Sequence, residues 1–168
     1  MASRDIKLKE LDLGFQSSIG APVPVVLAGE HQVFLLFYLE NREPFWDGTT
    51  VHVRDSKKDT GLGIISFNHC ISHKLGMPND EAIEGHPYEK YGLKPYSNFE
   101  VENSDWIAQL EKINSVHPYH KKERFERYKH YIFFFHDTNF ECIAESFKAE
   151  KADISMKEAI KKFSAMLD

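Results

Sequence analysis

The stretch "YKHYIFFFHDTNFECIAES", residues 128–146, decides the fold. Two runs rich in aromatic and apolar residues flank Asp137, Thr138 and Asn139, residue types that favour tight turns, so the stretch predicts a β-hairpin. Along its first arm, side chains alternate between two faces. One face carries Tyr128, His130, Ile132, Phe134 and His136, and the other carries Tyr131, Phe133 and Phe135. His130 and His136 therefore share a face but stand about 20 Å apart along a regular strand, too far to bind one metal together. Each needs other partners.

Upstream, "VPVVLAGEHQVFLLFYLE" reads as two strands around a turn at Gly29 and Glu30. Pro22 and Pro24 cannot donate to a ladder, which puts the first of these strands at a sheet edge. The second, "VFLLFYL" (33–39), is apolar on both faces and reads as central. "NREPFWDGTT" is expected to be a loop, and "TVHVR" (50–54), "IISFNHC" (64–70) and "NFEVE" (98–102) to be strands. Residues 1–20 form a weakly patterned lead-in. A helix follows Asn103 or Ser104, with Trp106, Leu110 and Ile113 as its apolar stripe and Asn114 at its end. A short helix is expected near 121–128. After the polar run "KAEKAD", Ser155 and Glu158 form a capping box. Met156, Ala159, Ile160, Phe163 and Met166 then make an amphipathic helix over 154–168. The expectation is one α+β domain over 1–168: an antiparallel sheet or partial barrel of about six to eight strands with two or three packed helices.

Composition narrows the function classes. The 168 residues are 42% hydrophobic with 13 Phe, 7 Tyr and 2 Trp, enough to build a core without staples. The formal charge of −5 and the mixing of Lys121, Lys122, Arg124 and Arg127 with Glu123 and Glu126 argue against a nucleic-acid binder. The first residues lack the apolar segment of a signal peptide, and residues 33–39 are too few to span a bilayer. Cys70 and Cys142 form no CxxC pair. These features imply no membrane and a reducing, cytoplasmic setting.

Nine histidines are the main chemical signal. His69 and His73 share one side whether their segment is strand or helix, and His117 and His120 form an H-x-x-H pair; these four are the candidate metal ligands. Two imidazoles with a carboxylate suit a divalent transition metal. The alternative is that they are surface or hydrogen-bonded side chains. The proline- and glycine-rich segment 76–98 is long and irregular, as functional loops are, and Asn79 is placed to cap a turn within it. His86, Glu100, His117, His130, His136, Asp137 and Glu141 are the candidate catalytic residues, because imidazoles and carboxylates at loops and strand ends can move protons.

"GMPNDEAIEGHPYEKYGL", "EVENSDWIAQLEKINSVHPYH" and "KHYIFFFHDTNFECIAE" resemble a group of small bacterial proteins of unknown function, over about residues 60–146. The resemblance implies no activity. It singles out Asn79, Asp80, Glu81, Trp106 and Asn114 beside the candidates above. The expected function is a small-molecule site lined by histidine, glutamate and asparagine from the 76–98 and 114–120 loops, in an acid–base or metal-dependent enzyme. The alternatives are a protein–protein interaction module or a subunit of a homo-oligomer.

Overall fold

A computed structural model describes residues 5–40 and 53–167. Among the described residues there are nine strands, two α-helices and three short 3-10 turns, so the fold is α+β. The strands are β1 (Lys7–Glu10), β2 (Val25–Ala28), β3 (Val33–Tyr38), β4 (Leu62–Asn68), β5 (Ser72–Gly76), β6 (Asn98–Glu102), β7 (Lys129–Phe134), β8 (Asn139–Ala144) and β9 (Ser146–Ala152). The helices are α1 (Asp105–Asn114) and α2 (Met156–Ser164). Instead of a partial barrel, the strands make two antiparallel sheets, ordered β1-β6-β7-β8-β5 and β2-β3-β4-β9.

Alternation explains the layering. Tyr131, Phe133 and Phe135 from the β7 arm, with Phe140, Cys142 and Ala144 of β8, meet Val33, Leu35, Phe37, Ile65 and Phe67 of the other sheet. Burying this many aromatic and branched side chains is the main stabilising term, about 1.5–3 kcal/mol for each large apolar group. The outer face of the four-stranded sheet carries Phe34, Leu36, Tyr38, Leu62 and Ile64 and is covered by Met156, Ala159 and Phe163 of α2. The outer face of the five-stranded sheet carries Phe99, Val101, Ile132 and Phe134, roofed by Ile6, Tyr88 and Leu93. Gly63 lies at a close approach: a Cβ there would meet the Phe37 ring at 2.7 Å.

The hairpin predicted at 128–146 forms, with Phe134 opposite Asn139. β3 is central and β2 is at an edge, as the sequence implied. Three strands exceed the expected set. Lys7–Glu10 of the lead-in pairs with β6, Ser72–Gly76 pairs with β8, and the polar run after Phe147 pairs with β4. All three are edge strands, where charged side chains are tolerated and pairing outweighs weak local propensity. The expected loop at 41–50 and residues 50–52 of the expected strand lie outside the described residues; Val53 and Arg54 belong to no strand. Ile113 and Met166 were expected on buried stripes and instead are 63% and 54% exposed, because Ile113 lies in the last turn of α1 and α2 ends at Ser164, before Met166. Asn114 remains helical, and Ser115 ends α1 in right-handed rather than left-handed geometry. The Ser155–Glu158 capping box is present. No described helix is long and apolar enough to cross a membrane.

Candidate functional site

On β8, the residues between Phe140, Cys142 and Ala144 point away from the inter-sheet core. Glu141 is one of them, and the 77–97 segment and α1 bury it to 2% exposure. A buried carboxylate requires donors, and three elements supply them. β5 is paired with β8 so that Lys74 lies opposite Glu141, and Lys74 Nζ donates to Oε1 at 2.8 Å. His130, on β7, donates from Nε2 to Oε2 at 2.9 Å. His86, which follows the 3-10 turn Asp80–Gly85, donates from Nε2 to Oε1 at 3.3 Å.

The hydrogen bonds assign the tautomers. The His86 Nδ1 accepts from the Tyr88 backbone N–H at 3.2 Å, so its proton is on Nε2. The His130 Nδ1 lies 2.8 Å from Ser104 Oγ. Its Nε2 must donate to the carboxylate, so Ser104 donates to Nδ1. Ser104 also caps α1 by accepting from Ile107 N–H and is hydrogen-bonded to Tyr88. A continuous chain thus runs Tyr88–Ser104–His130–Glu141, and Lys74 closes it at the surface.

Electrostatics fix the charges. Burial pushes the Glu141 carboxyl up, but the hydrogen bonds from His130, His86 and Lys74 outweigh it and hold the group well below the usual carboxylate range. Burial pushes His130 down, against the pull of Glu141, and favours neutral imidazole. Burial also pushes the Tyr88 phenol up to about 12. The centre is therefore an ionised carboxylate beside a neutral His130 ring, with the His86 Nδ1 engaged as an acceptor and Lys74 donating from the surface side. Its carboxylate is ionised and has three donors, and both His130 nitrogens are occupied, so this arrangement holds charge in place and is poorly suited to accept a proton.

Lys74 is where the network meets solvent, at 58% side-chain exposure. Its ammonium lies 4.9 Å from the Trp106 ring centroid. Trp106 in turn meets the His130 ring edge-on, with centroids 5.2 Å apart. Lys74, Tyr88 and Trp106 form one wall of a cleft of about 420 Å³, bordered also by Tyr91, Lys90 and Asp105.

Of the sequence candidates, the structure brings His86, His130 and Glu141 together. His136 lies in a separate cluster: its Nδ1 is 2.9 Å from Asp80 Oδ2 and 3.0 Å from Tyr96 Oη, and Tyr96 donates to the same Asp80 oxygen. The bond to Asp80 raises the His136 pKa; Asp80 is lowered first by Tyr96 and then by His136. Asp137 is exposed in the hairpin turn, and Glu100 pairs with Lys129 at 3.2 Å. His117 is exposed and its Nδ1 accepts from Tyr119 N–H, while His120 bonds Glu111 at 2.8 Å and Asn114 at 3.1 Å. His69 turns the chain after β4 with φ +48° and stacks on His31; His73, on β5, stacks on Phe140. The four metal candidates thus have separate side-chain partners, and His117 and His120, although in one loop, do not share one. Among the described residues no group of three or more His, Cys, Asp or Glu side chains is arranged to hold a metal ion. The 114–120 loop contributes nothing to the cleft lining.

Sequence reasoning missed Lys74, Tyr88 and the second role of Ser104. Ser104 was legible only as a helix cap. Lys74 had no local signal, because its value depends on the β5–β8 register. Searches against family models, curated proteins and solved structures find no match for this chain.

Proposed function

We propose that this chain binds a small molecule in the cleft between α1 and residues 87–91, with the Glu141 network as the rigid support of the cleft wall. The observation that carries the reading is Glu141 itself. An ionised carboxylate sealed behind a cleft is costly, and replacing such a pair by apolar residues is often neutral or stabilising. Stability alone therefore does not account for Glu141, His130, His86 and Lys74 in one place. Their combined effect is to hold an ammonium against an indole at the cleft surface. Binding is favoured over acid–base catalysis because the carboxylate and His130 have no vacant position. The free thiols Cys70 and Cys142, both buried, suit the reducing, cytoplasmic setting inferred from the sequence.

A thermal-shift screen of a fragment library, run on the native chain and on Trp106→Ala, tests this reading. Fragments that stabilise the native chain and lose their effect in the variant are expected. Fragments that act equally on both proteins, or none that act at all, would overturn it.

A second reading, an interaction surface, draws on Ile113, Val116 and Tyr119, which lie exposed at the end of α1 and just beyond it. Sedimentation of the native chain and of Val116→Asp tests this reading. A concentration-dependent dimer lost in the variant is its expected result, and a monomer in both would remove the homo-oligomer form of the idea.

A further inference from the structure

We infer that the cleft takes a planar monoanion, an aromatic carboxylate in class, with its ring against Trp106 and its carboxylate at Lys74. This deepens the binding reading above and rests on it.

Charge comes first. The Lys74 ammonium has three N–H donors, and Glu141 Oε1 receives one at 2.8 Å. Lys74 lines the cleft, so its remaining donors are available to a ligand there. Lys90 Nζ sits 5.1 Å from the Tyr91 centroid on the same lining and forms no ion pair among the described residues. Asp105 is the one carboxylate on that lining. Glu141 does not line it, being sealed behind Lys74 and already bound by three donors. The lining carries two ammonium groups against one carboxylate, and Glu141 behind Lys74 takes up the other positive charge. The unspent N–H donors of Lys74 and Lys90 suit a single carboxylate, whereas a dianion such as a phosphate monoester would leave negative charge unmatched beside Asp105.

Shape comes second. Trp106, Tyr88 and Tyr91 line a space of about 420 Å³, within the range of small-molecule sites and suited to one or two fused rings. Aromatic faces favour a stacked planar ring over a puckered one. Gln109, exposed on α1 and also on the lining, offers an amide to a ring substituent. The buried network supplies the preorganisation: Lys74 is held between Glu141 and the Trp106 ring before any ligand arrives, so little side-chain freedom is lost on binding.

Four probes separate the contributions: indole-3-carboxylate, indole, tryptamine and cyclohexanecarboxylate. Each is titrated at low salt by calorimetry and by tryptophan fluorescence, with Trp106→Phe distinguishing Trp106 from the chain's second tryptophan, Trp46. Indole-3-carboxylate is expected to bind about ten-fold more tightly than each of the others, the worth of one partly desolvated ion pair. Lys74→Met should abolish the preference over indole. Because that variant leaves Glu141 without its cation, Lys90→Met serves as the second test, with an expected loss of about three-fold for the anion alone, as for a more exposed charge. Equal binding of indole and its carboxylate, or tighter binding of tryptamine, overturns the charge assignment and leaves the cleft reading standing. Equal binding of cyclohexanecarboxylate overturns the planar assignment. Failure of all four probes, where the fragment screen still finds Trp106-dependent ligands, overturns this inference alone. Failure of both experiments overturns the cleft reading as well.

Discussion

Replacing Glu141 by glutamine removes one charge and keeps the shape, so it isolates what the carboxylate does. In the native chain Oε1 accepts from Lys74 and His86, and Oε2 accepts from His130. A glutamine can keep its carbonyl toward Lys74 and His86, but its NH2 then faces the His130 Nε2–H, donor against donor. Relief requires His130 to move its proton to Nδ1, which turns the Ser104 hydroxyl away from it and disturbs the cap of α1. Alternatively the amide turns over and leaves Lys74 and His86 facing an NH2. Either way, removing one partner of a buried ionic cluster costs about 3–5 kcal/mol. For a chain of this length that corresponds to a fall in melting temperature of about 10 °C. Urea unfolding at neutral pH measures the loss directly, with Glu145→Gln as the control. Glu145 pairs with Arg127 at 3.1 Å nearer the surface, so its loss should stay within about 1 kcal/mol. Glu141 also carries a pH signature. The folded Glu141 carboxyl lies below its unfolded value of about 4.3, so its contribution is complete above that pH and is lost as pH falls through the folded value. Glu141→Gln should therefore remove part of the native chain's acid destabilisation. A loss below about 1 kcal/mol at neutral pH, no larger than that of a surface pair, would refute the ionised, triply bonded carboxylate and the site built on it.

Phe134, buried under the 77–97 segment, should cost about 3–5 kcal/mol as Phe134→Ala, whereas His136→Ala, two residues past the end of that strand and 39% exposed, should cost much less; similar large losses in urea unfolding would make His136 a core residue. The His136–Asp80 pair should give the opposite pH signature to Glu141: its contribution is complete below the unfolded histidine value of about 6.5 and fades as pH rises through the raised folded value. The stability difference between the native chain and His136→Ala, followed by urea midpoints across that range, should shrink toward alkaline pH, and a flat difference would discard the pair. Ser104→Ala should cost about 2 kcal/mol, more than a lone cap, because it also strips the His130 Nδ1 of its donor; a loss typical of caps alone, near 1 kcal/mol, would show that the Ser104–His130 bond adds nothing. Gly63→Ala should destabilise by about 1–3 kcal/mol by driving a methyl group into the Phe37 and Phe15 rings, and an unchanged melting temperature would mean those rings yield freely.

The legible parts of this protein are those whose information is local. The 128–146 hairpin, the β3 strand, the Ser155–Glu158 box and the Ser104 cap are each specified within about twenty neighbouring residues, by alternation, turn chemistry or spacing. The edge strands β1, β5 and β9 are not. Lysine, serine and glutamate carry weak strand preference, and only a partner far along the chain makes these segments extended. The same distinction divides the candidate site. His130 and Glu141 announced themselves by residue type in an aromatic hairpin, and the hairpin places them on neighbouring strands. Lys74 enters through one cross-strand register, Lys74 opposite Glu141, set by the β5–β8 pairing. His86 and Tyr88 enter through an irregular segment whose path no periodicity encodes.

This division bears on what the histidines are for. Nine imidazoles invite a search for a metal, yet the described ones are dispersed: one pair stacks near the β4–β5 turn, one stacks on Phe140, one accepts from Tyr119 N–H, one answers Asp80, one answers Glu111, and two converge on Glu141. Of these, the pair at Glu141 is the one sealed from water, and it is the one whose removal leaves a buried charge with Lys74 as its remaining donor. Imidazole suits that task. One ring nitrogen donates to the carboxylate while the other accepts from a neighbour, Tyr88 N–H for His86 and the Ser104 hydroxyl for His130, so each ring bridges two polar groups without adding charge. A lysine in either place would overcharge the cavity, and an asparagine would fall short of the second partner. Neutral rings around a single carboxylate leave its charge to be matched by Lys74 alone, which is why the ammonium stands fixed at the cleft wall.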